Sequence, residues 1–113
     1  MSQETAYLND ILERIVRIQR FTLEGEAGFM ASELIQDAVI RNCEVIGEIV
    51  KRLPPTLTDQ HPEVVWRQFA GFRDILIHSY NRVRLDVVWQ TVVQDIPKLR
   101  TAVETLLSHP TIE

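Results

Sequence analysis

The polar side chains best suited to chemistry gather in one run, Arg73-Asp-Ile-Leu-Ile-His78-Ser-Tyr80. Histidine changes protonation near neutral pH, so it suits moving a proton onto or off a hydroxyl. Arginine presents a fixed fork of donors that steadies charge building on a phosphate. Together they fit cleavage of an RNA phosphodiester without a metal ion, with His78 acting on the 2′-hydroxyl and Arg73 on the phosphate. Asp74 precedes His78 by four residues, and on a helix the two share a face. Asp74 is therefore a candidate to orient the imidazole and hold its tautomer. An Arg and a His near a helix C-terminus also serve simply to satisfy the last carbonyls and complement the dipole. The R-x4-H spacing alone does not separate these readings.

The spacing carries a further constraint. At about 100° per residue, Arg73 and His78 lie roughly 140° apart and about 7.5 Å apart along a helix axis. A straight helix does not converge both side chains on one phosphate. Either the helix loosens before His78 or a two-fold dimer lines one cleft from two copies, and the dimer also pools two arginine-rich segments. Net charge is −4, yet residues 67–84 carry Arg67, Arg73, Arg82 and Arg84 against Asp74, a local +3 that leaves −7 elsewhere. Such a chain grips phosphate locally instead of coating nucleic acid.

The elements that must position this run are helical. Leu8, Ile11, Ile15 and Ile18 recur at three- and four-residue steps, which predicts a helix from Gln3 to Phe21. Thr22 to Gly28 reads as a connector. Ser32 is a candidate N-cap for a helix to Leu53 with Ile35, Ala38 or Val39, Cys43, Ile46 and Val50 inward, ended by Pro54-Pro55. Residues 54–62 read as a polar loop. Val65, Phe69, Phe72 and Leu76 mark a third helix reaching Ser79, and Tyr80 to Arg84 a short link. The last helix spans Leu85–Ser108, with Val88, Val92, Ile96, Leu99, Val103 and Leu106 inward and a kink or break at Pro97. The expected fold is all-α: a single domain over residues 1–113, an up-and-down bundle of four main helices.

Composition is that of an ordinary globular chain, 45% hydrophobic and 25% charged. One cysteine, Cys43, and three scattered histidines give no zinc pattern, so neither metal nor cofactor is expected. With no apolar run of membrane-spanning length and no signal-peptide pattern, the expected location is the cytoplasm. Asp37, Arg41, Glu44 and Glu48 form a polar stripe on the second helix. It reads either as solvated ion pairs or, for Arg41 and Glu44, as a support facing the cleft or dimer seam. Gly47 suits a close helix approach, and Trp66 and Trp89 suit core or interface anchors rather than base-stacking platforms.

The segment Arg73-x4-His78-x-Tyr80 resembles the R-x4-H-x-Y motif of the HepT toxins, a branch of the HEPN superfamily of small helical ribonucleases. The likeness extends to Tyr7-Leu-Asn-Asp-Ile-Leu-Glu13, to Asp37-Ala-Val-Ile-Arg-Asn-Cys-Glu-Val-Ile-Gly-Glu48, and to Trp66-Arg-Gln-Phe-Ala-Gly-Phe-Arg73. Leu85-Asp-Val-Val-Trp89 and Asp95-Ile-Pro97 resemble the family's last helix. The resemblance implies a homodimer of HEPN-like bundles and a metal-independent RNA endonuclease with Arg73 and His78 catalytic in a cleft between protomers. It also implies a partner, MntA, a minimal nucleotidyltransferase antitoxin that silences the toxin by transferring AMP onto the motif tyrosine, here Tyr80. Added phosphates and adenosine two residues from His78 would block the cleft and cancel its charge. Two positions depart from the family pattern: Asp74 stands where Asn is common, and Tyr80 is followed by Asn81-Arg82-Val83 instead of an aromatic and a glycine. The alternative is a non-catalytic helical module that docks a nucleotidyltransferase and presents it with substrate.

Overall fold

The computed structural model describes residues 2–78 and 84–108, with side chains over 2–72 and 84–108. Helix α1, Gln3–Phe21, is capped by Ser2, whose Oγ accepts from the Thr5 amide at 3.1 Å. Its predicted row of Leu8, Ile11, Ile15 and Ile18 is buried throughout. Helix α3, Glu33–Val50, begins where expected, with Ser32 Oγ accepting from the Ile35 amide at 3.1 Å. Its inward row resolves to Val39, not Ala38, with Cys43, Ile46 and Val50.

Two segments read as loop are partly helical. Gly25–Ala31 is helix α2, entered through Gly25 at φ +83°, a left-handed angle that glycine adopts without steric cost. A seven-residue helix without a side-chain N-cap has little stability of its own. Burial of Phe29 against Trp89, with ring centroids 5.4 Å apart, fixes it to the bundle. Gln36 closes the far end, its amide donating to the carbonyls of Phe29 and Met30. In the proline-rich connection, Pro55–Thr58 forms the one-turn helix α4, with Pro55 in the first turn where no amide is needed. Helix α3 also stops three residues short of Leu53. There the amides of Arg52 and Leu53 bond three residues back, tightening the chain into a turn before Pro54.

Helix α5, Trp66–His78, starts one residue later than its apolar spacing suggested. Val64 is buried and Val65 is 57% exposed, so the inward position before the helix is Val64. The last predicted helix is α6, Leu85–Gln90, then a π-helical turn over Thr91–Asp95, then α7, Ile96–Ser108. Pro97 has no amide hydrogen, and its ring crowds the carbonyl four residues back. The chain answers one turn early: the Ile96 amide bonds the Thr91 carbonyl five residues back, which inserts one residue. The expected row of Val88, Val92, Ile96, Leu99, Val103 and Leu106 is buried across the break.

The packing is that of an up-and-down bundle. Helix α3 packs against both α1 and α5, α1 against α7, and α2 bridges α3 and α6. Among the described residues the secondary structure is all-α, and no described helix is long and apolar enough to cross a membrane.

Candidate functional site

Helix α5 positions the Arg73 to His78 run, and its amphipathic phase decides which way each position faces. Phe69 is buried and Ala70 and Phe72 are half-buried, so the Phe69–Phe72 side packs inward against α3. Counting from Phe69 at about 100° per residue, position 73 falls about 40° from the core direction, on the flank. Positions 74 and 78 fall about 140° and 180° from it along the helical wheel. The backbone stays α-helical through His78. It does not loosen before the histidine, so positions 73 and 78 keep their wide angular separation. The side chains of Arg73, Asp74 and His78 lie outside the described residues, as does Tyr80 altogether.

Contacts at the other end of α5 hold the helix in place. The Trp66 indole donates to the His61 carbonyl at 3.1 Å, and His61 in turn meets Glu63 at 2.8 Å. Gln68 donates to the Asp95 carboxylate at 3.2 Å, tying α5 to the π turn. Burial pushes the Asp95 carboxyl above the ordinary range, against the pull of Lys98 and the Gln68 hydrogen bond. The inserted residue of the π turn sets the register at which Asp95 meets α5. A small, shallow concavity opens here, lined by Val64, Val65 and Phe69 with Glu63, Asp95 and Lys98. It sits at the opposite end of α5 from His78 and is not the motif's site.

On α3, Arg41 and Glu44 pair with each other, with 68% of the Arg41 side chain and 24% of the Glu44 side chain exposed. Glu48 pairs with Arg52 at 3.3 Å. Three of the four stripe residues, Arg41, Glu44 and Glu48, thus sit in local ion pairs, with the Glu44 end turned further inward than Arg41. Gly47 is buried on the same helix. The sequence reading passed over Asn42, which is only 5% exposed. Its amide donates to the Ala38 carbonyl at 2.7 Å, and its oxygen accepts from Arg14 at 3.3 Å, linking α3 to α1. The available signal was its place beside Val39, Cys43 and Ile46 on the apolar face, where a polar group requires a partner. Cys43 is fully buried, and desolvation pushes its thiol up to about 12, so it is no nucleophile.

Comparison with known proteins adds the family. The family model described as "Ribonuclease HepT-like" matches residues 11–106. A protein of Thermococcus cleftensis named "Probable ribonuclease HepT" is 45% identical over 101 residues, covering 88% of this chain and 92% of its own length. A Methanocaldococcus jannaschii protein named "Gamma-glutamylcyclotransferase and putative RNase" is 44% identical over 104 residues, 91% of this chain. The match spans 47% of that longer relative. A Caldanaerobacter subterraneus protein named "Putative RNase" is 36% identical over 101 residues, covering 85% of this chain and 90% of the relative. No solved structure matched the chain.

Proposed function

Because the chain belongs to the HepT-like ribonuclease family, we propose that it is the toxin of a toxin–antitoxin pair, an endonuclease that cleaves RNA without a metal ion. In this reading the site is a cleft between two copies of the chain. The observation that carries it is the unbroken α-helix through His78. With positions 73 and 78 fixed about 140° apart, one copy offers a phosphate only part of the set, and a two-fold axis supplies the rest. His78 moves the proton of the attacking 2′-hydroxyl, Arg73 stabilises the charge developing on the phosphate, and Asp74 orients the imidazole. Arg41 and Glu44 belong to the rim of that cleft or to the seam beside it.

Tyr80 is the off-switch in the same reading. A minimal nucleotidyltransferase of the MntA kind transfers AMP from ATP to its hydroxyl, releasing pyrophosphate and leaving anionic bulk two residues from His78. Purified protein is expected to degrade RNA with chelator present, and Arg73→Ala or His78→Ala to abolish this. Activity that chelator removes, or that survives both substitutions, refutes the catalytic assignment. Co-expression with the nucleotidyltransferase should add AMP-sized mass increments at Tyr80, absent from Tyr80→Phe.

A further inference from the structure

The outward side of α5 carries more than the motif. Positions 67, 71, 74 and 78 follow steps of four, three and four residues and fall within about 60° of arc, facing away from Phe69. They form one straight stripe about 16 Å long at 1.5 Å per residue. Two of its members are described in full. Arg67 is exposed, and no carboxylate, amide or ring among the described residues lies against it, unlike the other described arginines. Arg17, Arg41, Arg52, Arg84 and Arg100 each pair with a neighbouring carboxylate. Arg14 is held by Asn42, and Arg20 lies over the Phe21 ring. Gly71, between Arg67 and the motif, is half-buried but open on its side-chain side: a Cβ built there meets nothing within 4 Å beyond its own helix backbone.

We propose that this stripe is a track for the RNA backbone, with Arg67 binding a phosphate about 16 Å along α5 from position 78. The inference rests on the ribonuclease reading and extends the substrate footprint beyond the cleaved bond. The stripe's two described members, Arg67 and Gly71, have separate physical roles. Arg67 keeps its donors free for an anion because no carboxylate among the described residues neutralises it. Gly71 lowers the ridge of the helix by a side chain, so a sugar–phosphate chain lies close along it. At about 3.4 Å per stacked nucleotide the stripe spans about five nucleotides. Contact is to phosphate, so it fixes register on the strand without reading bases.

The test measures full-length protein against a fluorescein-labelled, 2′-O-methylated RNA 20-mer, whose blocked 2′-oxygens prevent cleavage, by anisotropy from 50 to 300 mM salt. Arg67→Ala should weaken binding about fivefold at low salt and lower the salt slope by about 0.7, the signature of one lost phosphate contact on a single strand. Arg67→Lys should keep most of both, because it keeps the charge. Gly71→Leu should weaken binding by filling the strip, with the salt slope unchanged. On cleavable RNA, Arg67→Ala should raise KM and leave kcat within twofold. Unchanged affinity and slope in Arg67→Ala overturn the proposal, as does a weakening that the salt slope does not follow. Wild-type protein that fails to bind the 20-mer overturns it together with the ribonuclease reading. Wild-type binding and its loss in Arg67→Ala, without cleavage of any RNA, overturn only the ribonuclease reading and leave the Arg67 contact standing.

Discussion

Gly71→Ala probes both the stability of α5 and what covers it. Glycine inside a helix is less favourable than alanine by about 1 kcal/mol, because it surrenders more backbone freedom on folding. Gly71 has no left-handed φ to protect, and an added Cβ meets no heavy atom within 4 Å, so no steric cost offsets the gain. The expected change is a stabilisation of about 0.5–1 kcal/mol. With an unfolding entropy of about 2.1 cal/mol/K per residue over 113 residues, that raises Tm by about 2–4 °C. Circular-dichroism melts at two protein concentrations tenfold apart read both the shift and its dependence on assembly. A lowered Tm refutes the reasoning. If the drop also deepens at the lower concentration, the second protomer packs directly on Gly71, and the stripe is seam instead of open track.

Three other outcomes follow from the packing and the titrating groups. Phe29→Ala should cost about 3–5 kcal/mol, since it opens a cavity under α2 and removes the ring against Trp89, and equilibrium urea unfolding measures it. Cys43, with its thiol pushed up to about 12 by burial, should resist Ellman's reagent in the native protein at pH 8 and react fully in denaturant. Asp95→Asn should raise stability at pH 7. A carboxyl whose folded pKa lies above its unfolded value favours the fold in its protonated form, and that contribution is lost as pH rises through the folded pKa. The advantage of Asn over Asp should therefore shrink on acidification and vanish below the ordinary Asp range, as melts from pH 3 to 7 would record.

How much of this was legible in the chain depends on whether the signal was local. Apolar residues at steps of three and four mark the rows of α1, α3 and α6–α7, because a helix of 3.6 residues per turn has one face to bury. Ser32 announced its helix by side-chain chemistry acting within three residues, and Pro97 its break by a missing amide hydrogen. The R-x4-H spacing was likewise readable, as was its consequence that one straight helix splits the pair. Contacts between distant segments were not. Helix α2 exists because Phe29 finds Trp89 sixty residues on, a pairing that no window around Gly25 contains. Val64 rather than Val65 turns inward because the chain enters α5 one residue later than its apolar spacing implied. The π turn, and with it the meeting of Asp95 and Gln68, depends on where the bundle needs the inserted residue. The sequence by itself determined the rows of α1, α3 and α6–α7 and the R-x4-H spacing, since periodicity and side-chain type are properties of neighbours along the chain. Tertiary structure alone decided that α5 buries Phe69 and leaves Arg67 exposed, because a helix has no outside until another packs against it.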